Sequence, residues 1–262
     1  MIQNHLIMHE GFTSEFLTHP RNVLVWVPPG YNENLEQRYP VLYMHDGQNL
    51  MRPEDAFGGV AWEVDQTAHN LILAGDIEPI IIVGIYNTPH RVDEYTHVRA
   101  EAGKMKGHGG KADLYGRMIV EELKPFIDRE YRSKPEREFT GIGGSSLGGL
   151  VSIYLGLKHP EVFSRVAALS PSAWWANNQI IRDAARLRER LPVRIWLDIG
   201  KREGPRIKHQ VRALKEILLA NGWTMDADLA YFEIPEARHQ ESDWAARFSE
   251  VLKFLFPVVH IN

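Results

Sequence analysis

Ser146 stands at the centre of Gly144-Ser-Ser-Leu-Gly148, a G-x-S-x-G pentapeptide between an apolar run ending at Gly143 and a helical pattern reaching Leu157. Strand, sharp turn and helix around a serine is the context of a nucleophile elbow, which lifts the hydroxyl to the apex of a strained turn. The chain passes closely on both sides of that apex, and Gly144 and Gly148 leave the room. Gly143 and Gly149 extend this small-residue collar. Ser146 is the predicted nucleophile, and its neighbour Ser145 is not. A glycine-rich turn of this kind can also cradle a phosphate at a helix N-terminus. The segment lacks both the Lys-Ser/Thr of a P-loop and the GxGxxG spacing, so the elbow is preferred.

A serine hydroxyl needs a base, and the base needs a group to orient it. On such an elbow the acid and then the histidine come later in the chain. His159, His209, His239 and His260 follow Ser146. His159 precedes Pro160 at a helix end, His209 falls within a helical pattern, and His260 sits on the terminal tail. His239 follows the last apolar run, in Pro235-Glu-Ala-Arg-His-Gln-Glu-Ser-Asp-Trp244. There open α/β sheets place their ligands, which makes it the predicted base. Leu197-Asp-Ile-Gly-Lys-Arg-Glu-Gly204 offers two acids. Glu203, in the loop after the run, is preferred; Asp198, which interrupts the run itself, is the alternative. The predicted oxyanion donors are the backbone N–H groups of Leu147 and Gln48, with Gly47 the next choice. His45 and Asp46 are adjacent and have no third ligand at metal spacing, so no metal is predicted. The cycle needs no organic cofactor.

Elements must bring these residues together. Short apolar runs at 23–27, 41–44, 80–85, 139–143, 166–169, 194–199 and 228–234 read as strands buried on both faces. Helical patterns at 62–74, 114–131, 148–157, 177–190, 206–220 and 242–256 alternate with them. The alternation predicts a mostly parallel α/β sheet with helices on both faces, in a single domain over 1–262. Residues 7–16 are expected to add an antiparallel edge strand. Residues 99–111, rich in Gly and Lys, read as an exposed loop, either a substrate lid or a plain surface excursion.

Composition narrows the class. The 262 residues carry 30 basic and 34 acidic side chains, a net charge of −4, so the basic stripe of a nucleic-acid reader is missing. Without cysteine there is no disulfide framework, cysteine nucleophile or thiolate zinc site. The first ten residues lack a secretory pattern, and no run reaches the ~20 apolar residues of a membrane span. A cytoplasmic protein that binds neither nucleic acid nor membrane is expected.

Together, Tyr43-Met-His-Asp-Gly-Gln-Asn-Leu50, Pro79-Ile-Ile-Ile-Val-Gly84, Arg91-x-x-Glu94-Tyr95, Glu122-Leu-Lys-Pro125, Gly144-x-Ser146-x-Gly148, Ser170-Pro-Ser-Ala-Trp-Trp175 and the His239…Trp244 ending resemble a family of serine esterases. That family is related to esterase D and includes feruloyl esterases, enterobactin-type trilactone esterases and antigen 85 acyltransferases. The likeness runs from about Val23 to Phe256. It implies an α/β-hydrolase fold with a Ser146–Glu203–His239 triad. In feruloyl-esterase members the acid follows a Gly-x-x-acid stretch, matched here by Gly200-Lys-Arg-Glu203, whereas some siderophore esterases are described as working with a Ser–His dyad. The antigen 85 branch has its oxyanion position just after Asp-Gly, which matches Gln48.

The expectation is a serine carboxylic-ester hydrolase acting on feruloyl, acetyl or other small acyl esters. The alternatives are an antigen 85-type acyltransferase, a siderophore trilactone esterase and a catalytically silent binding protein. Trp174 and Trp175 either wall the substrate pocket or pack beneath the cleft. Arg91 and Glu94 are expected to pair with each other.

Overall fold

The computed structural model describes residues 5–258. One sheet holds β1 (Leu6–Phe12), β2 (Arg21–Trp26), β3 (Val41–His45), β4 (Ile81–Ile85), β5 (Thr140–Ser145), β6 (Arg165–Leu169), β7 (Arg194–Gly200) and β8 (Leu229–Ile234). Their order is β1-β2-β4-β3-β5-β6-β7-β8. β2 runs antiparallel to both of its neighbours, β1 and β4, and the other five pairings are parallel, the arrangement of an α/β-hydrolase fold.

Continuous apolar runs make these strands because both faces are covered. In β4 and the residue before it, Ile81, Val83 and Ile85 pack into one layer while Ile80 and Ile82 pack into the other. Each such burial is worth roughly 1.5–3 kcal/mol. The first layer is closed by α2 (Arg91–Glu94), α3 (Ala112–Arg117), α4 (Lys124–Glu130), α5 (Leu147–Lys158), α6 (Trp175–Ala185) and α7 (Pro205–Ala220). The second is closed by α1 (Val64–Ala74) and α9 (Phe248–Leu255), with the short α8 (Glu241–Ala245) before it.

Several boundaries differ from the sequence reading. The edge strand stops at Phe12, and the first helix starts at Val64 because Glu63 is left-handed. The helix expected at 114–131 runs from Ala112 to Glu130 through a π segment, Met118–Leu123. Pro125 has no N–H to give the preceding turn, and widening that turn accommodates it. The helix expected at 177–190 ends at Ala185 and begins with Ala176, Asn177 and Asn178 in left-handed backbone. Arg182 donates to the carbonyls of Ala176 and Asn177, and Gln210 to Asn178 Oδ1, which holds that turn. The helix expected at 242–256 breaks between α8 and α9, where Arg247 turns inward. His260 lies outside the described residues. Among those residues no helix is long and apolar enough to cross a membrane.

The parallel register aligns the strand ends. Ser145 pairs with Leu169, Leu169 with Asp198, and Gly200 with Ile234. The loops after β5, β6, β7 and β8 therefore open at one edge, beside the loop after β3.

Candidate active site

Ser146 has φ 58° and ψ −120°, a left-handed conformation costly for any residue but glycine. Its amide donates to Leu169 O at 3.0 Å, and its carbonyl accepts from Ser172 and Leu150. A Cβ at Gly144 would stand 3.1 Å from the Gly148 backbone, so the crossing tolerates little beyond hydrogen. The hydroxyl thus stands clear at the head of α5.

His239 Nε2 lies 2.9 Å from Ser146 Oγ, and His239 Nδ1–H donates to Glu203 Oε2 at 2.7 Å. A carboxylate only accepts, which fixes the proton on Nδ1 and leaves the Nε2 lone pair facing the serine. His239 is 40% exposed and the Glu203 side chain fully buried, so imidazole faces solvent and carboxylate faces protein. Burial pushes the Glu203 carboxyl up, but hydrogen bonds from His239, Ser170 and the Gly200 amide outweigh it and hold it below its ordinary value. The two loops interlock: a Cβ at Gly200 would sit 2.3 Å from Ala237 O, and Arg202 N donates to that same oxygen.

Asp198, the alternative acid, is fully buried and faces away from His239. It takes Arg247 Nε at 3.0 Å and Nη2 at 2.8 Å, and accepts from Trp196 Nε1 and the Ser170 amide. Its oxygens are already committed.

Neither the Leu147 nor the Gln48 backbone N–H has an acceptor among the described residues, and Gln48 lines the Ser146 cavity. The turn carrying Gln48 is clamped. Asp46, left-handed at φ 57°, takes Arg91 Nε and Nη2 at 2.7 Å each and Asn87 Nδ2 at 2.6 Å, while its amide donates to Tyr95. Arg91 therefore does not pair with Glu94, as expected from sequence. Glu94 is buried against Arg21 instead, 3.1 Å away. His45 packs under the elbow against Gly144 and Gly148. Burial pushes its imidazole down to about 3, Asp46 opposing and Arg91 adding, so it is neutral near pH 7.

The cavity at Ser146, about 390 Å³, is lined by Phe57, Asn87, Arg91, Glu241 and Trp244 besides the residues already named. Burial, with Asp46 adding to it, pushes the Glu241 carboxyl up. Trp174 and Trp175 do not line this cavity. Trp175 is buried with its indole donating to Val98 O at 2.8 Å, the packing alternative. Trp174 is 39% exposed, and both tryptophans border a neighbouring cavity of about 550 Å³ whose other side is residues 98–105. The Gly/Lys loop thus borders that second cavity. Among the described residues no cluster suits a metal.

The sequence reading gave no role to Ser170, Ser172, Glu241, Trp244 and Arg247, although Ser170, Ser172 and Trp244 stand in the motifs it quoted. Trp244 meets the His239 ring edge-on at 4.8 Å, and Ser172 Oγ lies 3.4 Å from Ser146 Oγ. The Ser170-Pro-Ser172 stretch at a strand's carboxyl end was the available signal.

The family model described as "Putative esterase" matches residues 14–255. The chain belongs to this esterase family. It is a carboxylic-ester hydrolase with an α/β-hydrolase fold. The esterase is 26% identical over 256 residues to the uncharacterized protein YbbA of Bacillus subtilis, covering 94% of this chain and 97% of that one. It is 26% identical over 217 residues to an endo-1,4-beta-xylanase/feruloyl esterase of Xylanibacter ruminicola, covering 80% of this chain and 27% of that one. Its fold superposes on the enterobactin esterase FES from Shigella flexneri, crystallised in the presence of enterobactin, with a TM-score of 0.76 at 22% identity. That match covers 95% of this chain and 58% of the other.

Proposed function

We propose that the esterase hydrolyses small-molecule carboxylic esters through an acyl-enzyme on Ser146. The observation that carries this reading is the unbroken Ser146 Oγ–His239–Glu203 line, at 2.9 and 2.7 Å, ending on a serine in strained backbone. His239 Nε2 takes the hydroxyl proton as Ser146 attacks the ester carbonyl, then gives it to the departing alcohol. Glu203 holds the reactive tautomer and stabilises the imidazolium. The Leu147 and Gln48 amides bind the tetrahedral oxyanion. Water activated by His239 then releases the acid; the 40% exposure of His239 leaves water a route, which favours hydrolysis over transfer to another alcohol.

The substrate class takes its bounds from the relatives, one named for feruloyl esters and one for enterobactin. The test is hydrolysis of p-nitrophenyl acetate, methyl ferulate and an enterobactin-type trilactone by wild type and Ser146→Ala. Wild-type turnover should fall roughly 10⁶-fold in the variant, with folding intact. The ranking of kcat/KM names the preferred ester, and turnover retained by Ser146→Ala would refute the reading.

A further inference from the structure

Ser170 ends up fully buried just past β6, in left-handed backbone at φ 44°. A hydroxyl has one proton and two lone pairs. Arg247 Nη2 donates to Ser170 Oγ at 2.8 Å and Trp244 Nε1 at 3.1 Å, which occupies both lone pairs. The single proton is left for Glu203 Oε1, 2.6 Å away. Oε1 also accepts from the Gly200 amide at 2.8 Å, so it is engaged twice and Oε2 is left to His239. Behind this, Asp198 grips Arg247 through two nitrogens, and Arg247 Nη1 donates to Asp243 O at 2.9 Å. Every bond in the series has one possible direction.

We propose that Ser170 is a positioning residue for ester hydrolysis: aimed by Arg247 and Trp244, its hydroxyl fixes the rotation of the Glu203 carboxylate so that Oε2 meets His239 Nδ1. The role rests on the triad reading above. It also accounts for a serine held where the backbone costs about 1–3 kcal/mol, a strain that clusters at functional sites.

The test places Ser170→Ala and Ser170→Gly in wild type and in Glu203→Gln. It reads p-nitrophenyl acetate kinetics, thermal unfolding and the low-field proton resonance of His239 Nδ1–H. Glycine accepts positive φ freely, so Ser170→Gly removes the hydroxyl without the strain that alanine keeps. Each substitution should lower kcat roughly 10-fold with KM held within about two-fold, and shift the Nδ1–H resonance. In the Glu203→Gln background neither should cost anything further, because Ser170 acts through that carboxylate. Wild-type kcat in both Ser170 variants overturns the proposal, as does an equal loss in the two backgrounds. If Glu203→Gln alone keeps wild-type kcat, the triad reading fails and this role falls with it; a large Glu203→Gln effect beside equal Ser170 losses sinks the positioning role alone.

Discussion

Asp198 and Glu203 are buried carboxylates on one strand–loop segment, joined through Ser170, yet they face opposite partners. Asp198 meets the permanently charged guanidinium of Arg247; Glu203 meets an imidazole that is 40% exposed. An acid locked on arginine is a structural charge with no proton to influence. An acid on a neutral histidine gains interaction energy when that histidine becomes charged, which a general base does during turnover. What separates the two is the partner each loop delivers, more than burial or residue type.

Exchanging each acid for its amide would break or sharpen that contrast. Glu203→Gln should lower kcat by roughly 10⁴-fold, since the amide can favour the wrong tautomer. Its unfolding midpoint in urea should fall by less than that of Asp198→Asn. Asp198→Asn should do the reverse. Leaving Arg247 buried without its counter-charge costs about 3–5 kcal/mol of stability, while kcat per folded molecule stays within roughly ten-fold. Urea unfolding beside steady-state kinetics reads both. A large kcat loss in Asp198→Asn with little in Glu203→Gln would exchange their roles.

The sequence held the parts of this contrast that are local. The elbow is legible because Gly144, Ser146 and Gly148 lie within one turn, and the strands because their apolar runs are continuous. Glu203 could be preferred to Asp198 because a loop position leaves a side chain free to turn and a strand position does not. Long-range pairings were hidden. Arg91 stands one helical turn from Glu94, the spacing of a local pair, yet folding carries it to Asp46, while Arg247 crosses to Asp198 and Ser170. Local propensity also missed the left-handed turn at 176–178, because Arg182 and Gln210 hold it from outside. The Trp174-Trp175 pair showed aromatic bulk but not direction: both border the second cavity, Trp175 buried with its indole on Val98 O and Trp174 the more exposed.

Acid titration adds a third buried group to the comparison. His45 stays neutral in the folded protein down to about 3, whereas its ordinary value is 6.5. Between those values the unfolded chain binds a proton that the native protein refuses, so stability falls as pH falls. The slope is on the order of 1 kcal/mol per pH unit. Glu203, held below its ordinary 4.5, contributes stability that is complete above that value and lost as pH falls through the folded one. His45→Gln should therefore flatten the decline between about pH 6.5 and 4.5. Glu203→Gln should leave that stretch intact and flatten only the more acidic one. Urea unfolding at a series of pH values reads both slopes, and an unchanged slope in His45→Gln would mean that the native protein protonates His45 after all.

The smallest expected effect comes from removing the Asp198–Arg247 pair whole. A buried ion pair replaced by uncharged groups of similar volume is often near neutral, because the desolvation of both charges disappears with their attraction. Asp198→Asn combined with Arg247→Met should thus recover most of the stability lost by Asp198→Asn alone, ending within about 1 kcal/mol of wild type. Its turnover should nonetheless drop, because Ser170 would lose the Arg247 donor that helps aim its proton at Glu203. A few-fold drop in kcat at near-native stability would show that the arginine's service to chemistry runs through Ser170. Full turnover in the double variant would confine the pair to folding and leave the Gly200 amide and Ser170, aimed by Trp244 alone, to hold the acid in place.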